Sequence, residues 1–178
     1  MRRLQEEGRG EHGIRRHLNV TVLFFVVLVL GTALDQVTKA VVFRNLEEGR
    51  HYEVIPQLLS LVLSLNPGAL FGMLPNQGML LAGLAIIAFG VILYFIFRGD
   101  GTAWSAAAFG FLAAGATGNL IDRLFNNLCV RDFIDLHIGQ YHWPTFNVAD
   151  ICICVGLGML IYAELARAGE AKRPSGTS

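Results

Sequence analysis

Gly78–Phe97 reads GMLLAGLAIIAFGVILYFIF, 20 residues without a charge. As a helix it covers about 30 Å, the thickness of a bilayer's hydrocarbon core. Three further apolar runs flank it: Leu18–Leu34 before, then Thr102–Leu120 and Val148–Ala163 after. Thr102–Leu120 is rich in Ala and Gly, which lets neighbouring helices approach closely. The whole chain is 53% hydrophobic and only 16% charged, with a mean hydropathy of +0.50. A soluble domain carries about 25% charged residues. The expected class is therefore an all-α membrane protein with four transmembrane helices. Formal net charge is zero, so nothing argues for a nucleic-acid partner.

The connecting segments complete the expected architecture. Residues 1–17 are polar and of mixed charge, and read as a disordered cytoplasmic tail; residues 166–178 read as a second cytoplasmic tail. The bundle domain spans 18–165. Leu18–Leu34 follows a basic flank, so a cleaved signal peptide is an alternative. The run is long for one, and more membrane-type sequence follows. Arg98–Gly101 reads as a tight turn. Tyr52–Leu65 suggests strands and ends in the turn signal Asn66-Pro67-Gly68, so a small extracytoplasmic β-sheet on the outer membrane face is expected. In the 124–147 loop, Tyr141, His142 and Trp143 suit a lipid–water interface. Arg2, Arg3, Arg9, Arg15, Arg16, Arg98, Arg167, Lys172 and Arg173, nine of the 14 basic residues, fall on the side of the two tails. The positive-inside bias puts both termini in the cytoplasm.

The chemistry lies in the aspartates. Of six, four fall in one stretch: Asp122, Asp132, Asp135 and Asp150. Carboxylates at a bilayer edge are costly and are functional by default. Asp132 and Asp135 are an odd number apart in an extended segment, so only one can face a shared site. Asp150 follows the helix cap Asn147 on the same face; a capping box is the structural alternative. Asn119, Asp122 and Arg123 share one helix face at i, i+3, i+4, or else merely snorkel. Asp35 and Lys39, at i, i+4, suit an ion pair that anchors a helix end. Asn66 and Gly68 belong to a turn that can bring backbone and an amide to a ligand. Two close carboxylates cannot both ionise readily, so Asp132 and Asp150 together offer one base and one acid. Cys129, Cys152 and Cys154 form no CxxC and no Cys/His metal spacing, and read as small apolar-site residues.

Asp35-Gln36-Val37-Thr38-Lys39, Asn66-Pro67-Gly68-Ala69-Leu70-Phe71, Gly115–Arg123, Val130–Asp135 and Phe146–Asp150 occur in the order found in bacterial lipoprotein signal peptidase, the type II signal peptidase. The chain resembles that family over residues 18–165. The resemblance implies a membrane aspartyl endopeptidase of the bacterial inner membrane. Such an enzyme removes the signal peptide from diacylglyceryl-modified prolipoproteins, cutting on the amino side of the lipidated cysteine. It implies Asp132 and Asp150 as the catalytic pair. Asn66, Gly68, Asn119, Asp122, Arg123 and Asn147 would line or support the site, and Asp35 and Lys39 would stabilise it. No cofactor and no metal is expected; the partners are substrate and membrane lipid, and a monomer is expected. Two departures from the family bear on loop shape: Arg131 stands at a commonly apolar position, and the linker between Arg123 and Asp132 is about one residue longer than the family's.

Two other classes remain. A proton- or cation-coupled transporter also uses intramembrane carboxylates, but these cluster at one face and no repeat is visible. A non-catalytic assembly subunit would use the polar residues only as helix glue.

Overall fold

A computed structural model describes residues 2–68, 76–98 and 101–171. Ala69–Phe71 of the turn motif, Gly99 and Asp100 of the expected tight turn, and the last seven residues of the C-terminal tail lie outside it.

Four helices form the bundle: α1 (Arg2–Asn45), α2 (Gly78–Phe97), α3 (Ala103–Phe125) and α4 (Val148–Ala171). α1 starts at Arg2, which corrects the reading of residues 1–17 as disordered. The segment has no proline, and its five Arg and three Glu are good helix formers that offset Gly8, Gly10 and Gly13, so it continues the helix that the apolar run nucleates. α3 begins in a reciprocal capping box, with Ser105 N–H donating to Thr102 Oγ1 at 3.1 Å and Thr102 N–H to Ser105 Oγ at 2.8 Å.

Three helical stretches, His17–Asn45, Gly78–Phe97 and Val148–Gly169, are long and apolar enough to cross a membrane. α3 is not among them, although a fourth crossing was expected there. Its position explains its composition: α3 packs against α1, α2 and α4, so it meets helices where the others meet solvent or lipid. Small residues serve that position better than large apolar ones. Ala106, Ala113 and Ala114 of α3 are fully buried against Val20, Phe24 and Leu28 of α1 and Ile92 and Ile96 of α2. A Cβ on Gly118 would lie 2.5 Å from Asp35 Oδ2 and 3.2 Å from Ala149 Cβ, so only glycine lets α1 and α4 close on α3 there. Conversely, Leu30, Met79, Ile87 and Leu165 point outward as exposed apolar side chains.

A four-stranded antiparallel sheet covers one end of the bundle, in the order β1 (Tyr52–Ile55), β2 (Leu59–Asn66), β3 (Val130–Ile138), β4 (Tyr141–His142). β2 and β3 are far apart in sequence, and their register sets Ser64 opposite Asp132 and Asn66 opposite Val130. Asn66 is therefore the same-face diagonal neighbour of Asp132. Beyond β4 the chain returns to β3, where Ile134 N–H donates to Phe146 O at 2.9 Å and Phe146 N–H to Ile134 O at 3.1 Å. That return places Asn147, and with it the start of α4, beside Asp132.

Candidate active site

Asp132 and Asp150 arrive from different elements, β3 and the first turn of α4, and each accepts one N–H on each oxygen. Asn66 Nδ2 donates to Asp132 Oδ2 at 2.9 Å and Asn147 Nδ2 to Asp132 Oδ1 at 2.6 Å. Asn119 Nδ2 donates to Asp150 Oδ1 at 2.9 Å and Asn147 N–H to Asp150 Oδ2 at 3.2 Å. Asn147 thus touches both carboxylates. Its own side-chain oxygen accepts Asp150 N–H at 3.1 Å, and its amide also donates to Asn119 Oδ1 at 3.2 Å. The capping box is therefore real: Asp, though shorter than Glu, closes it. Asp150 still keeps its second oxygen for Asn119, so capping and the shared site are not exclusive.

Asp132 is 1% exposed. Burial pushes its carboxyl up to about 6, helped by the nearby Asp150 and opposed by the amides of Asn66 and Asn147.

Asp35, Lys39 and Asp122 are all fully buried behind this pair. Lys39 Nζ lies 2.8 Å from Asp35 Oδ2, 3.1 Å from Asp122 Oδ2 and 3.1 Å from Asn119 Oδ1. Asp35 Oδ1 accepts Ala149 N–H, an orphan donor in the first turn of α4, at 2.9 Å. Asp122 faces this cluster. Its other charged partner is Arg131, whose Nη2 lies 2.7 Å from Asp122 Oδ1 and also reaches Gln36 Oε1 at 3.0 Å. Arg131, which in the sequence stood out only as a departure, therefore neutralises Asp122 from the strand side. Gln36 joins as well, donating to Gly118 O at 3.0 Å and to Asp122 Oδ1 at 3.4 Å; neither residue was read from the sequence as part of the site. Arg123 meets no carboxylate within ion-pair distance among the described residues. Its Nη2 donates to Gly68 O at 3.0 Å and its Nη1 to Asn119 O at 3.3 Å. It thereby ties the Asn66–Gly68 turn, in which Gly68 N–H donates to Asn66 Oδ1 at 2.9 Å, to the α3 end.

Asp135 faces away from this network, as its odd spacing from Asp132 requires, and meets histidines instead. Asp150 also lines a cavity of about 280 Å³ whose other walls are mostly apolar, among them Leu136, Trp143, Phe146, Ile151 and Val155. An apolar trough ending at a carboxylate suits a greasy chain with a polar bond at its end.

Fold and site together define a helix bundle of membrane-spanning type with two hydrogen-bonded aspartates, Asp132 buried and Asp150 half-buried, beneath a small sheet, an arrangement that suits acid–base hydrolysis. Residues 26–166 match the signal peptidase (SPase) II family. A lipoprotein signal peptidase of Azoarcus sp. is 39% identical over 158 residues, covering 84% of this chain and 87% of that protein. One of Syntrophotalea carbinolica is 38% identical over 148 residues, covering 80% and 90%. A solved bacterial membrane enzyme superposes with a TM-score of 0.76 at 31% identity, covering 87% of this chain and 94% of the other. The chain belongs to the signal peptidase II family and is an aspartic peptidase of bacterial membranes. The transporter reading finds no support in these likenesses.

Proposed function

We propose that this protein removes the signal peptide from diacylglyceryl-modified prolipoproteins, cutting on the amino side of the lipidated cysteine with Asp132 and Asp150 as its catalytic pair. One observation carries the reading: a single residue, Asn147, bonds both carboxylates, so two aspartates from separate elements are held as one unit. The pair shares a proton and titrates as a unit.

The ionised carboxylate takes a proton from a water held between the two, and the water oxygen attacks the scissile carbonyl carbon. The neutral carboxylic acid gives its proton to the carbonyl oxygen. The tetrahedral intermediate then collapses, the C–N bond breaks, and the cysteine nitrogen takes a proton as it leaves. The signal peptide departs with the new carboxylate. Asn66, Asn119 and Asn147 hold the pair, Arg123 and Gly68 fix the adjoining turn, and Asp35, Lys39 and Asp122 brace the helix ends beneath. Acyl chains occupy the apolar trough beside Asp150.

The same reading has all four helices cross the membrane, α3 included, with the bundle domain at 18–165. Both termini are cytoplasmic and the dyad and sheet lie at the outer face, where the bond next to a lipidated cysteine resides. The enzyme acts as a monomer, without cofactor, without metal in the hydrolysis and without nucleic acid.

The test is cleavage in lipid. Purified protein should shift a diacylglyceryl-modified prolipoprotein and leave its unlipidated precursor intact, and the Asp132→Asn variant should shift neither. Cleavage of both precursors would remove the substrate assignment; full activity in Asp132→Asn would remove the dyad.

A further inference from the structure

The face of β3 turned away from the dyad carries a second cluster. Asp135 is 2% exposed, and three imidazoles converge on its carboxylate. His142 Nδ1 lies 3.0 Å from both oxygens, His51 Nδ1 3.4 Å from Oδ2, and His137 Nδ1 3.6 Å from Oδ2. His137 and His142 are register partners across the β3–β4 hairpin, and their rings stack at 4.9 Å. The His137 side chain is only 8% exposed, yet its Nδ1 has no hydrogen-bond partner. A buried ring nitrogen aimed at a carboxylate but too far away to bond it is costly unless something stands between them.

We propose that Asp135, His137 and His142 bind a divalent transition-metal ion, with zinc the best fit and His51 able to join as a fourth ligand. Imidazole nitrogen with carboxylate oxygen is a donor set for zinc, nickel or copper rather than for calcium or magnesium. Around a tetrahedral zinc with bonds of about 2.0–2.1 Å, neighbouring ligand atoms lie about 3.3 Å apart. The separations of 3.0, 3.4 and 3.6 Å from Asp135 straddle that value. Ligand atoms of Asp135, His137 and His142 all fall within 4.8 Å of one another. Asp135 and His137 are buried and set by the strand. His142 and His51, at 47% and 60% exposed, are free to turn their rings out of the stack and onto the ion. Leu58, Ile138, Tyr141 and Trp143 wall the adjoining cavity, which raises the strength of charge contacts near it. The ion staples the short β4 strand, and through His51 the approach to β1, onto β3. It sits apart from the dyad and takes no part in hydrolysis.

The test needs protein without a histidine tag, stripped with EDTA and desalted in detergent. Zinc is titrated against a chromophoric chelator, and cobalt serves as a visible-absorption probe. One equivalent should bind, with micromolar or tighter affinity. Asp135→Asn and His142→Gln should each weaken it at least about tenfold and erase the cobalt bands, while the remote His17→Gln variant binds as the parent does. If Asp135→Asn fails to fold, His142→Gln, a half-exposed site, carries the test alone. No zinc bound at tens of micromolar, or binding unchanged in His142→Gln, overturns the proposal.

Discussion

Lys39 Nζ lies 3.1 Å from the side-chain oxygen of Asn119, 80 residues along the chain, and that contact decides which way the Asn119 amide points. An ammonium can only donate, so the amide oxygen must face it and the NH2 must face Asp150, where it donates at 2.9 Å. The same oxygen receives Asn147 Nδ2, which leaves that amide to donate to Asp132 as well. A buried cation thus sets the polarity of every amide between the two carboxylates without touching either one.

Lys39→Met removes this anchor. Asp35 is left buried with no cation, and Asp122 keeps only Arg131. Breaking a buried pair in this way costs about 3–5 kcal/mol. The expected outcome is a large drop in unfolding temperature in detergent, together with lost cleavage in whatever protein stays folded. A variant of parental stability would show that the cluster is not what braces the helix ends.

Asp132→Asn and Asp150→Asn should each abolish cleavage while the protein stays folded, and Asp132→Asn should do so with a pH signature. The Asp132 carboxyl is raised from 3.8 to about 6, so burial disfavours its ionised form. Its contribution to stability is full below about 3.8 and is lost as pH rises through about 6. An amide at this position escapes that loss. Asp132→Asn should therefore gain on the parent between pH 4 and 7, by up to about 3 kcal/mol at about 1.4 kcal/mol per pH unit, less what its NH2 loses by facing one of the two donors. Unfolding curves at pH 4.5 and 7.5 check this; a difference that does not change with pH would place the raised ionisation elsewhere.

Much of this site was legible because its signals are local. Parity along an extended segment separated Asp132 from Asp135, and three-residue spacing put Asn147 and Asp150 on one face. The uncharged run Gly78–Phe97 defined the class of protein. What stayed hidden depends on long-range register. Nothing near Lys39 announces Asn119, and Arg131 is only a departure from an apolar position until β3 lies beside the end of α3. His137 and His142 become partners only through a hairpin whose second strand is two residues long, too short for any periodicity to mark. The length of α1 was missed for the opposite reason: local charge suggested a tail, while cooperativity with the apolar run extends the helix to Arg2.

The small residues of α3 and its neighbours divide by what they face. In Gly118→Ala the added carbon falls 2.5 Å from Asp35 Oδ2, so helix or carboxylate must shift, at about 1–3 kcal/mol and with a loss of cleavage. Gly83 on α2 has nothing within 4 Å of an added carbon. Gly83→Ala should leave activity intact and gain about 0.5–1 kcal/mol from helix propensity alone. Paired unfolding and cleavage measurements on the two variants decide whether close packing, rather than glycine content, positions the site.

Asn147 performs two tasks, and substitution can separate them. Its side-chain oxygen caps α4 through Asp150 N–H, while its amide donates to Asp132 and Asn119. Serine is as good a cap as asparagine but has no NH2 to offer the pair. Asn147→Ser should therefore keep α4 within about 1 kcal/mol of its parental stability. Cleavage should fall by about 10- to 100-fold, the cost of one lost hydrogen bond to a charged group. The loss should appear in kcat rather than KM, because the amide holds the aspartates and not the substrate. Parental kcat in Asn147→Ser would reduce Asn147 to a cap and leave Asn66 and Asn119 to hold the pair without it.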